Sequence, residues 1–479
     1  MTQPLFESLR VWLPELIVSL GAMVVVLIGV FTRRAAPALL VGWLALLAAG
    51  ISLWFVQRLV PLQGFFGLIV VDELSVAFRW LALFVMGLVA LMVSSSSDVE
   101  RTWLGEYLGL LFFVGVGLML MAEANHLLMA YLAIELVSLS SYVLVALARD
   151  ARSSEAALKY LLFGALSSGI MLFGMSLLYG LTGELSLPLI QQALMGADPA
   201  GMRACAVAVA LVLVGLAFKI SMVPFHMWTP DVYEGAPIPV TAMLSVGPKA
   251  AGLALLLRIS QALQPMWETI APLVLCLTLS TMILGNVVAV VQNNVKRLLA
   301  YSTIGQVGYL LIGFAVNTKA GVEALLVYLV AYLFMNLGAF ACVVAVCNAT
   351  QNETLSAFRG LAHRAPALAL WCTVFLLSLT GIPPLLGFVG KFLLFGVALQ
   401  AHQAVLAIVG VITSAIALYY YVNIIRQMYL EPPLTSSALP RPLALRLAVG
   451  VCGLATAGLG LCPSPVLVFI SHSAVGTLL

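Results

Sequence analysis

The chain has 479 residues, of which 63% are hydrophobic and only 9% charged, with a formal net charge of +3. A soluble protein carries roughly 25% charged residues, so this chain cannot cover itself with a polar surface and its solvent is expected to be lipid. The small net charge gives no reason to expect a nucleic acid partner.

About 20 apolar residues in a helix cross a bilayer core of roughly 30 Å. Apolar runs predict fourteen membrane helices, near 12–31, 35–56, 74–94, 104–122, 126–147, 154–180, 203–226, 239–262, 268–291, 297–315, 320–347, 366–398, 404–429 and 443–470. The fold class is therefore all-α and polytopic. Met1 to Arg10 holds Glu7 but no basic cluster, and the first apolar run lacks a small-residue cleavage site, so a retained first helix is expected. The gaps are short and leave no room for a soluble domain. In the longest of them, Leu185 to Leu194 is expected to lie along the interface as a short helix.

Basic residues orient the bundle. Loops and adjoining helix ends after odd-numbered helices hold twelve: Arg33, Arg34, Arg101, Arg149, Arg152, Lys296, Arg297, Arg359, Arg364, Arg426, Arg441 and Arg446. The other side holds five: Arg10, Arg58, Arg203, Arg258 and Lys319. Cytoplasmic loops are the basic ones, which places both termini outside. Arg79, expected to snorkel or to pair with a partner such as Asp72, and four lysines (Lys159, Lys219, Lys249 and Lys391) fall inside helices.

A lysine at mid-membrane costs about 2.5–3.5 kcal/mol even on the lenient insertion scale, so four cannot simply face lipid. They are expected to face water, one another or a carboxylate. The carboxylate candidate is Glu135, deep in the fifth helix, with Ser138 on the same face. Glu155 stands one turn before Lys159, in a favourable order for pairing. Two helices are interrupted beside their charges. The seventh reads Phe218-Lys219-Ile-Ser-Met-Val-Pro224-Phe-His226, and the twelfth Thr380-Gly381-Ile-Pro383-Pro384-Leu-Leu-Gly387-Phe-Val-Gly390-Lys391. Proline withholds a backbone donor, and a freed carbonyl at lipid depth survives only in a protein-lined cavity.

The two interrupted helices are five apart, so they match if helices 4–8 and 9–13 are two inverted five-helix repeats. Interruptions at matching points of inverted repeats mark an ion site. The expected divisions are 1–103, a three-helix segment; 104–262, the first repeat; 263–430, the second; and 431–479, a C-terminal helix. Lys249, after Pro248 in the eighth helix, is an expected relay between the repeats, and His226 is a further titratable candidate. The seven cysteines form no C-x-x-C pair and read as small buried hydrophobes, so no metal or redox centre is expected. No Gly-x-Gly-x-x-Gly loop signals a nucleotide site.

At four stretches the chain resembles a known family, the antiporter-like membrane subunits of respiratory complex I and of multisubunit sodium/proton antiporters. These are Glu135-Leu-Val-Ser-Leu-Ser-Ser-Tyr; Ser154-Glu155-Ala-Ala-Leu-Lys159-Tyr; Phe218-Lys219 through Pro224-Phe-His226-Met-Trp-Thr-Pro-Asp231-Val-Tyr-Glu234-Gly-Ala-Pro; and Asn294-Val-Lys296-Arg297-Leu-Leu-Ala-Tyr-Ser. Within it the wording is similar to the subunit N branch, and Lys391 stands where subunit M has glutamate. The resemblance implies that Glu135 and Lys219 form a charge pair at the input side and that Lys159 modulates it. It further implies that Lys249 links to Lys391, the terminal lysine toward the outside. It also implies a bacterial inner-membrane location, with subunit M and small membrane subunits as neighbours. FMN and iron–sulfur clusters are expected in partner subunits. One departure is Gln306, where many relatives have histidine; glutamine can hold water but cannot take a proton near pH 7.

Overall fold

The computed structural model describes residues 5–474 except 434–438, 440 and 441. Arg441, one of the basic residues used to orient the bundle, lies outside the described residues. Among the described residues, thirteen helices are long and apolar enough to cross a bilayer; two shorter apolar ones, Pro366–Thr380 and Leu386–Gln400, follow each other in the chain, and we read them as the two halves of the twelfth crossing. In chain order the crossings are α1 (Leu13–Thr32), α2 (Ala35–Val56), α3 (Glu73–Val93), α4 (Leu104–Glu123), α5 (Leu127–Ala146) and α6 (Ala151–Thr182). Next come α7a (Pro199–Ile220) with the short α7b (Trp228–Gly235), α8 (Ile238–Ala262), α9 (Trp267–Ala289), α10 (Val295–Ala315) and α11 (Lys319–Thr350). Last are α12a (Pro366–Thr380), α12b (Leu386–Gln400), α13 (Ala404–Tyr429) and α14 (Leu443–Leu461). The expected short helix in the longest gap is present as Leu187–Met195.

Polar caps start many of these helices. Asp72 and Ser75 form a reciprocal capping box on α3, and Asp150 and Ser153 do the same on α6. Asp198 caps α7a, Asn294 caps α10 and Thr318 caps α11 through side-chain oxygens that accept backbone N–H groups. Each satisfies donors that the first turn leaves open.

The least apolar spans, α10 and α8, are also the most buried: 94% and 100% of their apolar windows are covered, against 33% for α2 and α14. Lipid repels polar side chains, so the helices carrying most of them occupy the centre. Close approach there depends on small residues. A Cβ at Gly285 on α9 would lie 2.3 Å from the backbone nitrogen of Gly305 on α10.

Three expectations need correction. The last helix does not run to 470: α14 ends at Leu461, and a separate helix, Ser464–Ala474, begins after Pro463, whose missing N–H and ring oppose continuation. Arg79 does not pair with Asp72. It is wholly buried, with Nε 2.7 Å from Glu15 and 2.6 Å from Glu123. Asp72 instead grips Arg258 with two contacts of 2.5 Å, so Arg258 is a buried partner and not a loop charge. These pairs fasten α1, α3, α4 and α8 together near one end of the bundle.

Basic residues from separate loops gather at the opposite end. Arg33 and Arg149 both lie over the Trp103 ring, at 4.5 and 3.7 Å. Glu353, in the loop after α11, accepts from Arg152 at 2.6 Å and Lys296 at 2.7 Å. Burial alone would raise the pKa of Glu353, but Lys296 and then Arg152 outweigh it and hold the carboxyl below its usual range. Its stabilising contribution is therefore complete above the ordinary glutamate pKa of about 4.3 and is lost as acid protonates it below that. Glu353→Gln should lower the unfolding temperature in detergent at pH 7 by roughly 2 °C. The gap to the parent protein should close in acid; a gap that persists there would contradict the assignment.

Candidate functional site

The seventh and twelfth crossings break in the same way. At the end of α7a, Ser221 takes a left-handed φ of +63°, its N–H reaches Phe218 O at 3.1 Å, and Met222 N–H reaches Ala217 O at 2.8 Å. At the end of α12a, Gly381 has φ +95°, its N–H reaches Ser378 O at 3.0 Å, and Ile382 N–H reaches Leu377 O at 3.0 Å. Both closures follow the Schellman pattern of a helix terminus, and both are followed within three residues by proline.

Each break puts a lysine near the negative end of a half-helix, a favourable placing for a cation, though only Lys391 bonds to a terminal carbonyl. Lys219 sits in the last turn of α7a, fully buried, and its Nζ donates to Ser138 Oγ at 2.9 Å. Lys391, on α12b, reaches back to the last carbonyl of α12a, Thr380 O, at 3.0 Å, and to Ser414 Oγ at 3.0 Å. Its Nζ also lies 4.1 Å from the centre of the Tyr309 ring. The freed carbonyl expected beside a lysine thus meets one at the twelfth crossing. At the seventh, the Trp228 indole donates to Phe218 O at 3.1 Å.

Lys249, on α8, is fully buried, with Nζ 4.8 Å from the Trp228 ring and 5.2 Å from Tyr233. Gly252, one turn on, allows α8 to touch the end of α7a: a Cβ there would stand 2.4 Å from Ile220 Cγ2. His226 is buried in the turn between α7a and α7b.

Two expected placements differ. Glu135 and Lys219 are not in direct contact. Glu135 accepts from Ser168 Oγ at 2.5 Å while Lys219 holds Ser138, one turn beyond Glu135 on α5. Serines on α5 and α6 therefore stand where a direct ion pair was expected. Lys159 is not buried. Its side chain is 41% exposed and pairs with Glu155 at 2.9 Å and Asp231 at 3.0 Å. It stands about two turns into α6, beside α7b, where Glu155 and Asp231 supply carboxylate partners.

Sequence reasoning missed a set of buried polar side chains that leads from Ser245, one turn before Lys249, toward Tyr309, whose ring faces Lys391. Asn336 donates to Ser245 Oγ at 2.6 Å, and Tyr332 donates to Ser245 O and Thr303 Oγ1, each at 3.0 Å. Tyr328 donates to Gln306 Oε1, whose amide nitrogen donates to Leu379 O at 3.0 Å and Tyr421 OH at 3.3 Å. Tyr309 donates to Thr413 at 3.2 Å, and Tyr420 to Asn286 at 3.0 Å. A signal was available. Tyr328, Tyr332 and Asn336 recur every four residues on α11, a polar stripe on an otherwise apolar helix.

Residues 124–417 match the family model described as NADH:quinone oxidoreductase/Mrp antiporter, TM. The chain is 43% identical to the NADH-quinone oxidoreductase subunit N 2 of Sorangium cellulosum, with 97% of each chain covered. It belongs to this family, in the subunit N branch. Among solved structures, it is similar to a chain of respiratory complex I from Thermus thermophilus, at 34% identity and TM-score 0.81, covering 95% of this chain and 98% of that one. A chain of the Mrp complex from Dietzia sp. has the same fold at TM-score 0.83 and 24% identity, with 98% of each chain covered.

The twelfth break depends on a glycine in this subunit N relative. A side chain at Gly381 would adopt a left-handed φ of +95° and place its Cβ 2.9 Å from Lys391 Cδ. Left-handed backbone costs an ordinary residue about 1–2 kcal/mol. Gly381→Ala should lower the unfolding temperature in detergent, whereas Gly396→Ala, whose Cβ would meet nothing within 4 Å, should not. Equal effects would contradict the assigned strain.

Proposed function

We propose that this chain is a proton-translocating membrane subunit of a bacterial NADH–quinone oxidoreductase. It couples electron transfer elsewhere in the complex to proton movement through its own interior. The observation that carries this is the row of three fully or almost fully buried lysines, Lys219, Lys249 and Lys391, two of them at the ends of half-helices. Helices 104–262 and 263–430 act as inverted repeats that place those two breaks in equivalent positions.

Protons enter from the basic-loop side, taken as cytoplasm, so both termini are periplasmic in an inner membrane. Lys219 loads first, with Ser138, Ser168 and Glu135 as its polar surroundings. Lys249 receives the proton, and Lys391 releases it outward through the hydroxyls around Gln306 and Tyr309. Lys159 tunes the entry end from its ion pairs. His226 titrates in the seventh break. Moving one charge against 100 mV requires roughly 2.3 kcal/mol, and a hundredfold change in proton affinity supplies about 2.7 kcal/mol. Rearranging a single buried charge contact therefore has the right scale.

The chain itself binds no NADH, flavin or quinone; FMN and iron–sulfur clusters belong to partner subunits. Glu135 lies midway along α5 and is only partly buried by its own chain. A carboxylate at that depth is not left to lipid, so a neighbouring membrane subunit covers this face; subunit M and small subunits are the proposed neighbours. The rival role is a subunit of a multisubunit sodium/proton antiporter. Isolation in mild detergent separates the two by what co-purifies.

In reconstituted vesicles, the complex carrying Lys219→Ala or Lys391→Ala should assemble and oxidise NADH but lose coupled proton transport through this subunit. Full proton transport per NADH in either variant would overturn the reading.

A further inference from the structure

The short helix α7b separates two unlike environments. Its outer side carries Asp231 and Glu234, one turn apart. Asp231 accepts from Lys159 at 3.0 Å and Arg297 at 2.7 Å; Glu234 is paired with Arg297 at 3.0 Å and Arg152 at 3.5 Å. Glu155 and Glu353 extend the series, and Lys296 donates to Ala236 O at 2.9 Å, just past the end of α7b. Acids and bases alternate along this chain of pairs, four of each, joining α6, α7b, α10 and the loop after α11.

The other side of α7b is aromatic. Trp228 stacks on Tyr160 with centroids 4.3 Å apart, Tyr160 meets Tyr142 edge-on at 4.6 Å, and Phe218 lies 5.2 Å from Trp228. Trp228 and Tyr233 also face Lys249. Chain neighbours tie the layers together: Lys159 precedes Tyr160, and Phe218 precedes Lys219. Rings packed edge and face form an apolar layer between the ion pairs and Lys249, and the ion pairs hold in place the helix that carries two of them.

We propose that α7b is the gate at the entry of the proton path, with the Tyr142–Tyr160–Phe218–Trp228 cluster as its barrier and Asp231 as the positioning residue that latches it shut. This rests on the proton-translocating role proposed above. Loss of both pairs that Asp231 makes, with Lys159 and with Arg297, frees one side of α7b, tilts Trp228 off Tyr160 and admits water to Lys219 and Lys249. Arg297, still paired with Glu234, keeps the other side anchored, so the helix swings instead of detaching.

The test measures passive proton leak in vesicles holding the assembled complex, without NADH and under an imposed pH gradient. Asp231→Asn and Trp228→Ala should each raise the leak about tenfold, the effect of roughly 1.4 kcal/mol on the closed state. Asp231→Glu and Trp228→Phe, which keep the charge and the ring, should remain tight. Adding Lys219→Ala to Trp228→Ala should return the leak to the parent level. Parent-level leak in both Asp231→Asn and Trp228→Ala, in complexes that assemble and oxidise NADH, would overturn the gate. If Asp231→Asn does not assemble, the contrast between Trp228→Ala and Trp228→Phe decides alone. A raised leak that survives Lys219→Ala would place the gate on a route other than the lysines, which contradicts the proposed function and not the gate.

Discussion

Lipid offers an ammonium group no solvent, and that single constraint organises this molecule. Three lysines and two interrupted helices are stable at membrane depth only if other protein surrounds them. Of the helices around them, α8, which carries Lys249, and α10, whose Tyr309 faces Lys391, are with α11 the most enclosed spans, while α7a, which carries Lys219, is half covered. The apolar outer helices, α2 and α14 among them, shield these polar elements from the bilayer, and their exposed leucines and valines need no further explanation.

The same constraint explains how each buried charge is accommodated. Arg79 sits between Glu15 and Glu123, and Arg258 grips Asp72, so these guanidinium groups have fixed carboxylate partners. Such pairs lock helices together. The lysines differ: Lys219 and Lys391 hold hydroxyls and a helix-terminal carbonyl, and Lys249 faces aromatic rings. Neutral partners bind an ammonium without demanding that it stay charged, which suits a group that must give its proton away. The bundle thus separates charges that fasten it from charges that are free to change.

Much of this was legible in the sequence. Long apolar runs gave the helices, while their starts were set by caps that hydropathy does not show: Asp150 and Asp198 begin α6 at Ala151 and α7a at Pro199, ahead of the expected 154 and 203. The Gly/Pro breaks beside Lys219 and before Lys391 gave the interrupted crossings. What the sequence hid was exposure and partner choice. Lys159 lies in a membrane helix but on a partly exposed face, where Asp231, 72 residues away in the chain, meets it. Glu135 and Lys219 meet serines and not each other, and Arg79 finds glutamates 64 and 44 residues away in the chain. Such long-range pairings leave no local pattern. The tyrosine stripe on α11 did leave one, but tyrosine in a membrane helix also reads as an interface anchor.

The central claim is that Lys219, Lys249 and Lys391 are joined by hydrated polar space. A cryo-electron microscopy map of the intact complex, sharp enough to place ordered water, tests it most directly. The account predicts a file of water running from Lys219 past Lys249 and through the side chains of Tyr332, Gln306 and Tyr309 to Lys391. Dry, close-packed apolar contacts separating the three lysines in every state of the working complex would contradict it.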